Sequence, residues 1–215
     1  MNTRVARILG LMLFASLALA LPASASAGIL YSGASEVPVG TKIAGNQGTG
    51  IQFKSGGTQV VECSKAVLSG TVRSNTAWDV QITVEGLNLY GAGVEGRCSS
   101  GLVFGDPAIS LQGSACWQHS SKAQWGWRGA ACGVETTATR LLFAYKGGTN
   151  CVYQRTTTVA LVGNIGTEPL IVGVPATGQE FIKEPGPVGC PPSLELYNLQ
   201  PELKTSSGAG LKVIS

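Results

Sequence analysis

Residues 78–85 run Trp78-Asp79-Val80-Gln81-Ile82-Thr83-Val84-Glu85. Trp78, Val80, Ile82 and Val84 alternate with Asp79, Gln81, Thr83 and Glu85, the two-residue period of a strand with one buried and one solvated face. The alternation contains no three-residue step, which an amphipathic helix requires. Working outward, Gly50 to Lys54 and Thr58 to Cys63 flank Ser55-Gly56-Gly57 and read as a hairpin. Ala66 to Val72 reads as a further strand. Downstream, Ala108 to Gln112, Thr139 to Lys146 and Cys151 to Gln154 follow, the last two joined at Gly147-Gly148. Thr156 to Val162, Leu170 to Val174, Leu194 to Leu199 and Leu211 to Ile214 close the series. Glycine and proline punctuate these runs and β-branched residues fill them. The expected fold class is all-β: an antiparallel β-sandwich, with a barrel-like variant open, stapled by disulfides.

Composition narrows the classes further. The chain has 215 residues, 44% of them hydrophobic and only 13% charged, a balance opposite to that of disordered chains. Thirty glycines fit a turn-rich chain. Residues 1–27 have the layout of a secretory signal peptide. Arg4 and Arg7 precede the 14-residue apolar run Ile8 to Leu21. Pro22 then breaks it, and Ala23-Ser24-Ala25 and Ala25-Ser26-Ala27 both satisfy the small-residue cleavage pattern. That run is shorter than the ~20 residues of a spanning helix. The expected product is one secreted β-sandwich domain, residues 28–215, with no membrane insertion after cleavage. Loss of Arg4 and Arg7 leaves thirteen basic against twelve acidic residues, a net of +1. No field of one sign is available to recruit nucleic acid.

The six cysteines, Cys63, Cys98, Cys116, Cys132, Cys151 and Cys190, all follow the leader. An even count in an exported chain without Cys-x-x-Cys points to disulfides rather than to zinc or redox chemistry. Six cysteines pair in fifteen ways; pairing of neighbours, Cys63–Cys98, Cys116–Cys132 and Cys151–Cys190, is the expectation. Lys183 to Pro192, with Pro185-Gly186-Pro187 and Pro191-Pro192, reads as an irregular loop pinned by Cys190.

Catalytic residue types are scarce. His119 is the one histidine, and Asp79 and Asp106 are the only aspartates. A serine triad would need His119 with Ser120 or Ser121, yet no Gly-x-Ser-x-Gly elbow exists. A calcium loop and a phosphate-binding loop are also missing from the sequence. Asp79 and Glu85 share a strand face but lie about 20 Å apart along it, beyond the ~5–9.5 Å that glycoside hydrolysis needs. No enzyme, no metal and no cofactor is the expectation.

The segment Cys116 to Cys132 stands out, because Trp117, Trp125 and Trp127 are three of the four tryptophans. With His119 and Arg128 they form the candidate ligand-binding set. Indole faces stack on sugar rings, and Trp125 and Trp127 share strand parity, as a flat platform requires. A bridge between Cys116 and Cys132 would preorganise this loop. The competing interpretation has the rings covering an edge or end of the sandwich, while Trp78 belongs to the core. The expected function is an exported, non-catalytic binding module for polysaccharide or cell-wall glycan. The alternative is a structural or protein-interaction domain whose partner is an envelope protein.

Val61-Glu62-Cys63-Ser64 leads to Leu68-Ser69-Gly70-Thr71-Val72. Later come Cys151-Val152-Tyr153, then Cys190-Pro191-Pro192 before Leu194–Leu199, and a last strand ending Lys212-Val213-Ile214. Together these resemble a group of small exported, cysteine-containing, β-rich proteins of high-GC Gram-positive (actinobacterial) soil bacteria. The resemblance implies fold and export, and carries no catalytic residues. Trp117 to Arg128 departs from the group's pattern in its tryptophan content.

Overall fold

A computed structural model of the chain describes residues 28–48, 50–77, 79–119, 125–134 and 138–214. The expected leader and Trp78 lie outside the described residues. The first strands are β1 (Ile29–Ser32), β2 (Ser35–Glu36), β3 (Lys42–Gln47), β4 (Ile51–Ser55) and β5 (Thr58–Cys63). Two strands of twelve residues follow, β6 (Lys65–Thr76) and β7 (Asp79–Tyr90). Next come β8 (Ser99–Ser100), β9 (Pro107–Gln112), β10 (Ala115–His119) and β11 (Trp125–Gly129). Beyond them are β12 (Thr139–Tyr145), β13 (Asn150–Arg155), β14 (Val159–Gly163) and β15 (Leu170–Gly173). The series ends with β16 (Gln179–Lys183), β17 (Ser193–Tyr197), β18 (Glu202–Thr205) and β19 (Lys212–Ile214). Among the described residues the only helical turn is a short 3-10 piece at Val94–Gly96.

The all-β expectation holds, in its barrel form. Eight antiparallel strands follow one another in the order β10, β11, β14, β15, β18, β3, β6, β7, and β7 pairs back onto β10 from His119↔Val80 to Ala115↔Val84. Closure leaves no edge strand open along this circuit. An eight-stranded barrel is just wide enough for side chains to fill, and alternation decides which ones do. Val80, Ile82 and Val84 of β7 point inward and are fully buried, as their period predicts. Val159, Leu161, Leu170, Val172 and Leu203 join them from the far wall.

β7 is long enough to serve two sheets. Its first half lies against β10, while Asn88 and Leu89 in its second half pair with β9. From β9 a second curved sheet continues through β12, β13, β16, β17, β4, β5 and β8. Its aromatic centre is Phe53, Phe143 and Tyr153, with ring centroids 4.9 and 5.1 Å apart in edge-on contacts. Trp127 from the barrel reaches Phe181 at 6.1 Å, so one continuous apolar cluster runs through both sheets. Along this path the β6–β7 ladder shifts register twice, with Glu85 of β7 extra opposite Ser69–Gly70 and Arg73 of β6 extra opposite Gln81–Ile82. Gly70 is required there, because a Cβ would lie 2.6 Å from the carbonyl oxygen of Thr83.

The cysteines pair as neighbours: Cys63–Cys98, Cys116–Cys132 and Cys151–Cys190. Three bridges, each contributing about 2–4 kcal/mol, suit an oxidising compartment. No described helix is long and apolar enough to cross a membrane.

β1 pairs with both β19 and β2, and Leu30 and Val213 are fully buried. One side chain locks this sheet to the barrel. Asn75 of β6 accepts a hydrogen bond from the Leu30 amide at 2.7 Å and donates to the carbonyls of Leu30 at 2.9 Å and Val37 at 2.8 Å. Asn75→Leu would leave the Leu30 amide and the Val37 carbonyl without this partner, at about 1–3 kcal/mol each, while the Leu30 carbonyl keeps the Val37 amide. Urea unfolding should therefore show a loss of about 2 kcal/mol or more; a shift within about 0.5 kcal/mol would contradict this role.

Candidate functional site

The tryptophan-rich segment is a hairpin rather than a loop. β10 and β11 pair Trp117↔Trp127 and His119↔Trp125 across the ladder, and the expected platform fails on sidedness. Odd-numbered residues of both strands face the barrel interior. Trp117 and Trp127 are completely buried, His119 is 1% and Trp125 3% exposed. Trp125 and Trp127 do share a face, but that face is the core, so these rings offer nothing for a sugar to stack on. Trp117 and Trp127 meet edge-on at 6.2 Å, and His119 and Trp125 lie tilted at 5.1 Å.

This interior tolerates a polar cost. Among the described residues the Nε1 groups of Trp117, Trp125 and Trp127 and both nitrogens of His119 have no hydrogen-bond partner. An orphaned donor costs about 1–3 kcal/mol. Burying an indole of roughly 200 Å² recovers about 5 kcal/mol, so apolar area wins at each tryptophan. The fit is close: a Cβ on Gly163 would lie 2.5 Å from Trp125 Nε1, and one on Gly28 would lie 2.9 Å from His119 Nδ1. Burial pushes the His119 pKa below its ordinary value. With its imidazole sealed inside, His119 cannot serve as a general base for an external substrate. Among the described residues no three His, Cys, Asp or Glu side chains gather as a metal site.

The opposite faces of the same strands form the candidate site. Of the five residues expected to bind ligand, Arg128 alone faces solvent. It lines a depression of about 450 Å³ together with Gln81, Gln118 and the chain from Gly129 through the Cys116–Cys132 bridge to Val134. Register explains the grouping. Gln118 lies directly opposite Gln81, and Cys116 is flanked by Thr83 on β7 and Arg128 on β11. Asp79, two residues along β7, accepts Nε2 of Gln81 at 2.8 Å and Nε2 of Gln118 at 3.0 Å on one oxygen. Burial raises the Asp79 pKa, but hydrogen bonds from Gln81, Gln118 and Ser74 outweigh it and hold the carboxyl below its usual range. It is thus an anion at neutral pH.

The rim is shaped by the disulfide. Ala130 adopts φ 65°, a left-handed conformation costing about 1–2 kcal/mol for a residue with a Cβ. The turn sends the chain back over the outer face, where Cys132 joins Cys116 and its amide donates to Thr83 Oγ1 at 3.2 Å. Glu85, the other acid on the outer face of β7, is engaged elsewhere. It lies 3.0 Å from Lys42 Nζ and accepts from Thr71 Oγ1 at 2.7 Å. Gln81 and Gln118 were not among the expected ligand residues; their signal was strand parity, which sets them opposite the tryptophans.

Compared with protein-family models, curated proteins and solved structures, the chain matches none. What it does must be sought in the chemistry of its own residues.

Two outcomes follow from the buried aromatic face. Trp125→Ala should destabilise the protein by about 3–5 kcal/mol in denaturant unfolding, since it empties a ring-sized volume of the core. A near-neutral result would contradict burial. The neutral His119 gains a proton on unfolding, near pH 6.5. The unfolded chain then binds more protons than the folded one, so stability is full above that pH and declines below it. His119 is the only histidine. Melting temperatures measured from pH 8 down to pH 5 should fall less steeply for His119→Phe than for the parent protein.

Proposed function

We propose that this protein is an exported, non-catalytic binding module whose ligand is a saccharide, held at the outer face of β7, β10 and β11. The observation that carries this reading is that Gln81 and Gln118, both hydrogen-bonded to Asp79, line one depression with the exposed Arg128. Few, fixed polar groups converging in a concavity are the usual means of orienting a small polar ligand. An ionised carboxylate can only accept hydrogen bonds, so both amides must turn Nε2 toward Asp79. Each Oε1 is then released as an acceptor for hydroxyl donors, and a sugar carries several. The disulfide-tied rim is ordered before binding, which lowers its entropic cost. Export is supported by the signal-peptide pattern of residues 1–27 and by three disulfides.

A non-catalytic role is supported by the engagement of the reactive groups. His119 faces the Trp125 indole inside the barrel, Asp79 holds two glutamines, and Glu85 holds Lys42 and Thr71. A second reading, a protein-interaction domain of the cell envelope, is favoured by Val103 and Val188, which are 91% and 95% exposed.

The test is retention of the oxidised protein on insoluble peptidoglycan, chitin, cellulose and starch, with Gln118→Ala and Arg128→Ala alongside. Retention on one of them should weaken about tenfold in each variant, with little change in melting temperature, because both side chains lie outside the core. Retention unaffected by either substitution would remove the site. Failure of all four glycans, with specific capture of an envelope protein, would favour the second reading.

A further inference from the structure

We propose that the saccharide bound in this depression is acidic: a uronate whose carboxylate docks on Arg128 while its hydroxyls reach the glutamine oxygens. The inference rests on the saccharide reading and adds the ligand's charge. It comes from how charge and hydrogen-bonding capacity are laid out across three strands.

Arg128 is exposed, and no described acid forms an ion pair with it, in contrast to Arg97 and Arg140, which pair with Glu95 and Glu184. A guanidinium offers a planar fork of donors and no acceptor, a shape that matches a carboxylate in bidentate fashion. Among the described residues the nearest part of the lining adds no negative charge, since Gly129, Ala131, Cys132, Gly133 and Val134 are all uncharged.

Asp79 does not cancel this positive end. In the register Arg128 is level with Thr83, four residues along β7 from Asp79 and two strands away. At ~3.3 Å per residue and ~4.8 Å per strand the two backbones stand roughly 16 Å apart. That is about two Debye lengths at physiological salt. The negative charge of Asp79 is also met by hydrogen bonds from Gln81, Gln118 and Ser74. The outer face therefore has a cationic end at Arg128 and an acceptor-rich middle at the two glutamines.

A neutral sugar would satisfy the amide oxygens but leave the guanidinium without an anion. A simple carboxylic acid would satisfy the guanidinium and leave the amide oxygens to water. A hexuronate carries a carboxylate and several hydroxyl donors on one ring, so it satisfies both sets.

The deciding experiment measures binding of the oxidised protein to polygalacturonate and to the same polymer with its carboxyl groups reduced to alcohols, by titration calorimetry. Parent protein and Arg128→Gln are compared, and the melting temperature of each confirms folding. The acidic polymer should bind at least about tenfold more tightly than the reduced one, and Arg128→Gln should erase that difference by weakening the acidic polymer far more than the reduced one. Rising salt should weaken the acidic polymer alone. Equal binding of the two polymers, with Arg128→Gln without effect, would overturn the acidic preference and leave the saccharide site standing. Binding of neither, together with no retention on the four insoluble glycans, would overturn both.

Discussion

Closure of the barrel through the β7–β10 pairing is the constraint on which the rest of the molecule depends. Once β7 accepts β10, every residue on eight strands belongs either to a sealed interior or to an outer wall, with no intermediate edge. The interior must then be filled to crystal-like density. β10 and β11 supply the largest side chains of that filling, three indoles with an imidazole, beside valines, leucines and isoleucines from the other strands. The unpartnered indole nitrogens follow from the same constraint. Volume and apolar area are worth more in this space than the hydrogen bonds that three Nε1 groups forgo.

The outer wall is defined by the same alternation. Fixing Trp117 and Trp127 inward fixes Gln118 and Arg128 outward, and fixing Val80 and Ile82 inward fixes Asp79 and Gln81 outward. The candidate site is in this sense the reverse side of the core, and its geometry is as rigid as the ladder that carries it. The Cys116–Cys132 bridge adds depth to what would otherwise be a flat sheet face, holding Cys132, two residues after the left-handed Ala130, against Thr83.

Much of the fold was legible where local pattern carries the signal. The alternation in β7 gave the correct buried face, the glycines after Ser55 marked the β4–β5 hairpin, and the cysteines paired with their neighbours. β3 and β18 were not legible. Gly45 and Ala44 make a strand with little apolar content, whose fit against Leu203 and Leu68 is a matter of backbone proximity. In the sequence β10 and β11 read as a loop, because His119 occupies an inward position that polarity alone assigns to solvent. Parity correctly grouped Trp125 with Trp127. Which side that parity faced depended on a pairing with β7 more than thirty residues away, and nothing local encodes it. The approach of Gln118 to Gln81 was hidden for the same reason.

The pairing of β1 with β19 bears on the order of events as the chain is made. Ile29 stands opposite Ile214, so the first described strand and the last are neighbours. A polypeptide delivered N-terminus first holds β1 ready long before its partner has emerged, and the Asn75 clasp alone cannot complete that sheet. Contacts of such wide sequence separation form slowly. The three-stranded sheet therefore closes only after β19 has been made, whatever the rest of the fold has already formed.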